Sequence, residues 1–468
     1  MLASEPVAAM ALLRSLHSCS GPPAYRMLPS LCSGQLSAQP WVLQTSAAAH
    51  ERQPSSCAPR QACLHFSQPG EVWSRLRGGP ARRCKPVSAA KERDPGSWDH
   101  SPEWMGNQGG GWGRDAGVVV FQQESRHGNG TVAVTAHAAS CPLWERDNRG
   151  MQEWRTMRFN EVTRQSVGRV RVPQRADGAA ALEMQPECLA MEYLKTMASA
   201  AAAVMGQSQN KPLRRRCLTA AESTEFRPCA LCIGTGGGSL PLFLAHHFPG
   251  MLVQAVDLDP VVLAAATEAM GFPCDRPGLE VHEADGVAFL ANRVYDIQSR
   301  AAPYVDFLFL DVFDGDDLIP DEFTQADGAF VQSLADALHP QHGTIVVNMH
   351  CGPRPRLGEN LLRQLRGLPP LTFDEGSPEA AAVLRYAGAL KRTLLDDVSN
   401  ISLAPGAAFI VGADKQFNAA VVVSRGLELS ATYPSAMAEL ALAADTIGRK
   451  AGFCFEAGER ASRGLLKV

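Results

Sequence analysis

An apolar run, a glycine-rich turn and a helical pattern follow one another without a gap between residues 230 and 247, and few folds accommodate that order. The turn reads Cys232-Ile233-Gly234-Thr235-Gly236-Gly237-Gly238-Ser239-Leu240. Glycines at 234, 236, 237 and 238 permit a tight turn and let the backbone approach a ligand closely. Beyond it, apolar runs alternate with helical patterns. Strands are predicted at 230–233, 252–256, 279–282, 305–310 and 344–348, and helices at about 239–247, 260–270, 285–293 and 327–338. This alternation predicts an α/β body, a parallel sheet covered by helices on both faces. Residues 407–411 and 419–423 predict a closing antiparallel hairpin, and 434–450 an amphipathic helix.

Acids stand at three consecutive predicted strand ends. Asp257 follows Gly238 by nineteen residues and closes the second strand in Val256-Asp257-Leu258-Asp259-Pro260. Glu283-Ala284-Asp285-Gly286 closes the third, and Leu310-Asp311-Val312-Phe313-Asp314 the fourth. In an open parallel sheet, ligands bind outside the carboxyl ends of the strands, so these acids and the glycine loop are expected at one rim. A carboxylate at position 257 can accept hydrogen bonds from two ribose hydroxyls. A dinucleotide fingerprint would want glycine at 239, where this chain has serine, and no Lys-Ser/Thr pair of a phosphate loop is present. A nucleoside without a pyrophosphate is the better ligand.

The rest of the chain sets limits on organisation and partners. Residues 1–90 are rich in Ala, Ser, Pro and Arg and read as an organelle transit peptide, plastid ahead of mitochondrion, or as a disordered tail on a cytoplasmic protein. Residues 91–116 read as linker. From 117 to 182 short strands predict a small antiparallel β unit, with 118–121 and 131–134 paired around His127-Gly128-Asn129-Gly130. A helix is predicted over 186–205, and the α/β body over 183–468 with an insertion at about 371–405. The formal net charge of −4 divides into +6 over residues 1–90, which hold nine Lys or Arg and three acids, and −10 beyond them. An acidic body speaks against nucleic acid as a partner and suits a cationic one, an amine or a basic protein segment. No run of eighteen apolar residues exists, so neither a transmembrane helix nor a membrane partner is expected. Cys229 and Cys232 form a CxxC without a second pair and read as reduced, packed thiols, with no metal expected. His350 and Cys351 read as core or rim. A homodimer is the assembly expected.

These residues carry a family resemblance. Gly236-Gly237-Gly238-Ser239-Leu240-Pro241-Leu242-Phe243, then His247-Phe248-Pro249 and Val256-Asp257-Leu258-Asp259-Pro260, resemble the C-terminal domain of the elongation-factor-1-alpha lysine and N-terminal methyltransferases. Asp311-Val312-Phe313-Asp314-Gly315-Asp316, Ile319-Pro320 and Val346-Val347-Asn348 resemble bacterial spermidine synthase-like proteins. Met157-Arg158-Phe159-Asn160, Gln165-Ser166 and Tyr193 fit the same superfamily, and the resemblance spans about 117–351. It implies a class I S-adenosylmethionine-type Rossmann-like domain that takes S-adenosyl-L-methionine or decarboxylated S-adenosylmethionine. It further implies that Asp257 binds the ribose hydroxyls, Asp285 with Gly286 the adenine amino edge, and Asp311, Asp314 and Tyr193 the acceptor amine.

Two departures bear on the reaction. Spermidine synthases carry Asp within a Gly-Gly-Gly-Asp-Gly loop, where it holds the donor's aminopropyl ammonium; Gly237 stands there in this chain. They also carry Tyr followed by Gln or His and then Glu, where this chain has Tyr193-Leu194-Lys195. Losing the loop carboxylate removes a repulsion against the carboxylate of intact S-adenosylmethionine, which the backbone N–H groups of the glycine loop and the helix N-terminus are expected to receive. Methyl transfer to an amine, in a small molecule or a protein, is therefore expected ahead of aminopropyl transfer. A non-catalytic nucleoside-binding relative is the third reading.

Overall fold

The computed structural model describes residues 117–138, 151–160, 163–172, 182–220, 227–316, 318–326, 328–396, 405–413 and 417–468. The expectations for residues 1–116, the transit peptide and the linker, lie outside the described residues. Two sheets are present. The first is antiparallel, ordered β1 (Val118–Glu124), β2 (Thr131–Ala138), β3 (Met151–Phe159), β4 (Thr163–Val172) and β5 (Glu183–Met184). Helices α1 (Glu192–Gly206) and α2 (Lys211–Leu218) lead into the second sheet. Helix α1 starts six residues later than the sequence pattern predicts. Met184 and Gln185 donate their backbone N–H groups to Gly271 and Arg169, which holds the chain extended until Met191.

The second sheet contains β6 (Cys229–Ile233), β7 (Leu252–Asp257), β8 (Leu279–Glu283), β9 (Phe307–Leu310), β10 (Thr344–His350), β11 (Gly406–Gly412), β12 (Asn418–Arg425) and β13 (Leu466–Lys467). Their order is β13-β11-β12-β10-β9-β6-β7-β8. Strands β6 to β10 pair in parallel, and β11, β12 and β13 pair antiparallel to close the sheet. Consecutive strands β6 and β7 are neighbours, whereas β9 lies on the other side of β6. The strand order thus reverses at the end of β6, where the glycine loop begins.

Connecting helices cover both faces: α3 (Ser239–His247), α4 (Pro260–Ala264), α5 (Gly286–Gln298), α6 (Asp321–Thr324), α7 (Ala329–Ala337), α8 (Leu357–Leu365), α9 (Pro378–Lys391), α10 (Tyr433–Ala451) and α11 (Ala457–Ser462). One core packs α1, α3 and α10 on one face through Met197, Phe243, Leu440 and Ile447. A second core packs α5, α7 and α9 on the other through Leu290, Leu334, Val383 and Tyr386. The insertion at 371–405 therefore contains a packed helix, α9, whose Tyr386 hydroxyl donates to the Phe323 carbonyl at 2.8 Å. The helix expected over 260–270 is not uniform. After α4 the chain widens into a π turn, Ala265–Ala269, which brings Met270 and Phe272 under the glycine loop. Among the described residues no helix is long and apolar enough to cross a membrane.

Candidate functional site

The site grows from the end of β6. Gly234 has φ +88°, and a Cβ there would lie 2.1 Å from the Asp311 carbonyl oxygen, so only glycine fits between β6 and β9. Downstream, the N–H groups of Thr235 and Gly236 donate to Asp257 Oδ2 at 2.9 and 3.1 Å, and Asp259 N–H donates to Oδ1 at 3.1 Å. Burial pushes the Asp257 carboxyl up to about 6 despite those three backbone donors. Asp257 therefore fixes the loop as well as facing the cavity. This corrects one expectation. The loop N–H groups of residues 235 and 236 are already engaged by Asp257, and that of Gly237 donates to Ser166 Oγ at 2.9 Å. They are not open to receive a second carboxylate.

Asp311 lies across the cavity at the end of β9. Its Oδ1 accepts from Asn348 Nδ2 at 2.7 Å, while Asn418 Nδ2 donates to Asn348 Oδ1 at 3.0 Å and so fixes the direction of the Asn348 amide. The Tyr193 hydroxyl from α1 also bonds Asp311. Burial raises the Asp311 carboxyl to about 6, against the lowering effect of Asn348 and Tyr193. Asp314 lines the same cavity, but its Oδ1 accepts from Asp316 and Leu318 N–H at 2.9 and 3.0 Å and so braces its own loop. Asp285 caps α5 by accepting from Ala288 N–H at 2.8 Å. Gly286, beside it, packs against Ile233, whose Cγ2 would lie 2.5 Å from an added Cβ.

The structure brings Gly234, Gly236, Asp257, Asp285, Gly286, Asp311, Asp314 and Tyr193 together around one cavity. Gly237 and Gly238 are not among its lining. A Cβ on Gly237 would meet Met270 Sδ at 2.7 Å and Ser166 Cβ at 2.9 Å, and one on Gly238 would meet Phe272 at 2.3 Å. The loop turns these two glycines toward the π turn and the small sheet. Of the pair after Tyr193, Leu194 lines the cavity and Lys195 does not. Lys195 is fully buried, 3.0 Å from Glu192, which Arg460 of α11 also grips at 3.1 Å. Cys229 and Cys232 are buried thiols, and burial pushes Cys229 up to about 12.

Other contributors were not legible as such. The hairpin between β1 and β2 hangs over the cavity from buried Asp259, which accepts from Ser125 Oγ at 2.5 Å and Asn129 Nδ2 at 2.7 Å while capping α4 through Val261 N–H. Gln165 Nε2 and Thr235 Oγ1 belong to residues lining the cavity and are buried without a hydrogen-bond partner among the described residues. Unpaired buried polar atoms at a cavity wall are costly unless a ligand satisfies them.

A glycine loop at the switch point, an acid at the next strand end and no phosphate-binding lysine define a Rossmann-like domain built for a nucleoside. Comparison with known proteins narrows the class. The chain is 34% identical over 149 residues to the eEF1A lysine and N-terminal methyltransferase of Homo sapiens, a stretch covering 31% of this chain and 20% of that protein. It is 32% identical over 124 residues to the polyamine aminopropyltransferase of Chromobacterium violaceum, covering 26% of this chain and 43% of that protein. The chain thus spans about a fifth of the length of the first of these relatives. Among solved structures, human methyltransferase-like protein 13 in complex with SAH is similar at TM-score 0.37 and 23% identity, covering 56% of this chain and 92% of that one. No protein-family model matches. The chain is thus similar over part of its length both to an S-adenosylmethionine-type methyltransferase and to a polyamine aminopropyltransferase.

Proposed function

We propose that this protein is a transferase that uses S-adenosyl-L-methionine to methylate an amine. The observation carrying this reading is the pairing of a nucleoside cavity with Asp311, a desolvated carboxylate held by Tyr193 and Asn348 at its rim. The residues fit the donor. Asp257 and Asp285 offer carboxylate oxygens for ribose and adenine, and the unpartnered Gln165 Nε2 and Thr235 Oγ1 offer polar contacts at the same wall. When bound, S-adenosylmethionine supplies a methyl carbon on a sulfonium, open to attack by a nitrogen lone pair. Asp311 holds the acceptor ammonium and takes its proton, so that the nitrogen arrives neutral. A carboxyl raised to about 6 is poised for that transfer near neutral pH.

Aminopropyl transfer from decarboxylated S-adenosylmethionine is the second reading, favoured by the match to the aminopropyltransferase. Against it stand Leu194 at the acceptor wall and Met270 packed where a loop carboxylate at position 237 would lie. Gln165 Nε2 is the donor available to the carboxylate of an intact methionine moiety. Calorimetric titration of the protein with S-adenosylmethionine, decarboxylated S-adenosylmethionine and methylthioadenosine tests the choice. Tighter binding of the intact donor is expected. Preference for the decarboxylated form, with spermidine made from putrescine, would overturn methyl transfer. Binding of none of the three would leave a non-catalytic relative.

A further inference from the structure

Beside the donor cavity lies a groove of about 630 Å³, within the usual range of small-molecule sites. One wall is the rim of the parallel sheet, with Phe313 and Met349; the other is α9, with Leu384 and Ala389. Phe313 lines both the groove and the donor cavity. Its ring meets His350, which also lines the groove, edge-on at 4.8 Å. The groove thus opens beside the carboxylate assigned to the acceptor.

Helix α9 adds charge to this apolar trough. Arg385 in α9 and Arg392, which follows its last residue, stand seven residues apart, and both line the groove. Both side chains are exposed, and neither enters an ion pair among the described residues. Glu379, at the first turn of α9, is the carboxylate among the lining residues. Among the described lining residues two guanidinium groups stand against one acid, whereas residues beyond 90 carry −10 overall. Composition alone points to a cationic partner; the groove reverses that locally.

We infer that this groove is the acceptor site and that the acceptor is a small amine with an apolar body and an anionic group at its far end. The inference rests on the reading of Asp311 as the group that holds the amine. With the amine at Asp311 and the carbon body along Phe313 and Leu384, the far end falls to Arg385 and Arg392. Guanidinium groups bind a carboxylate or phosphate and repel a second ammonium, so a polyamine is disfavoured at the same place. Helix α9 belongs to the stretch that the family resemblance does not reach, which makes it the element that sets acceptor choice in this chain.

The probes are 12-aminododecanoic acid and 1,12-diaminododecane, which share length and apolar body and differ in one end group. Their binding is measured by calorimetry, with and without S-adenosylhomocysteine. The amino acid is expected to bind about tenfold more tightly than the diamine, the size expected from two exposed cations at low salt. In the doubly exchanged protein Arg385→Glu/Arg392→Glu, the preference is expected to vanish or reverse, with an unchanged thermal midpoint. Equal binding, preference for the diamine, binding of neither probe at millimolar concentration, or a preference that survives the exchange would each overturn the inference. If no donor binds while the amino acid still binds in an arginine-dependent way, methyl transfer falls and the groove stands.

Discussion

Replacing Asp311 by asparagine separates what this carboxylate costs the fold from what it does in the reaction. Burial lifts its pKa from the ordinary 3.8 to about 6, so the folded protein binds the proton more tightly than the unfolded chain. The carboxylate is then destabilising wherever it is ionised, and the penalty develops as pH rises between about 4 and 6 and is constant above. A rise of that size corresponds to about 3 kcal/mol. Water at the open rim trims the effect to about 1–2 kcal/mol. Asparagine keeps an oxygen for Asn348 Nδ2 and can donate to Tyr193, so no hydrogen bond need be lost. Asp311→Asn is therefore expected to be about 1–2 kcal/mol more stable than the parent at pH 8 and no more stable at pH 4, as read from urea midpoints. Donor affinity is expected to stay within about threefold while turnover collapses, because the amine loses its proton acceptor. A variant no more stable at pH 8, or equally stabilised at pH 4 and pH 8, would refute the account of a buried, destabilised base.

Further outcomes follow from other contacts. Asp257→Ala is expected to weaken S-adenosylmethionine binding by about 2–4 kcal/mol in calorimetry, and unchanged affinity in a folded variant would move the donor site elsewhere. Gly237→Asp is expected to cost about 1–3 kcal/mol by collision with Met270 and Ser166. It should give no gain in affinity for decarboxylated S-adenosylmethionine, since position 237 does not line the cavity; a gain would restore the aminopropyl reading. Burial by itself would raise the Glu192 carboxyl, but Lys195 and Arg460 hold it near 2. Arg460→Met is accordingly expected to lose about 3–5 kcal/mol at pH 7, a deficit that shrinks as pH falls from about 4.5 toward 2 and the parent protonates Glu192. Plastid import with removal of most of residues 1–90 is our proposal for location, and a cytosolic protein that still begins at Met1 would refute it.

The parallel sheet was legible because its strands are short runs of four to seven residues, three of them closed by an acid at or just after the last position, with helical patterns between them. Asp257, Asp285 and Asp311 could be named from the sequence for the same reason, since strand ends at a switch point converge whatever the packing. The direction each loop glycine faces could not be read. It depends on the π turn after α4, which sets Met270 and Phe272 behind Gly237 and Gly238. Nor could the engagement of the loop N–H groups by Asp257, because a carboxylate aimed at ribose and one aimed at backbone leave the same trace in sequence. Asn418 orients Asn348 from 70 residues away, and Ser125 and Asn129 reach Asp259 from 134 and 130. Helix α9 falls in a stretch that reads from sequence only as an insertion, and nothing there says against which strands it packs.

The clasp at Asp259 bears on how fast the protein can work. His127 and Asn129, at the tip of the hairpin, line the cavity, so the cavity is roofed by a segment tied down by a buried carboxylate. Lifting the tip strips two donors from a carboxylate that stays buried to cap a helix, and stranded charge of that kind is expensive. The open form is then a rare excursion and not a free swing. If the protein turns over a nucleoside donor as proposed, release of the spent nucleoside is expected to wait on the lifting of this roof.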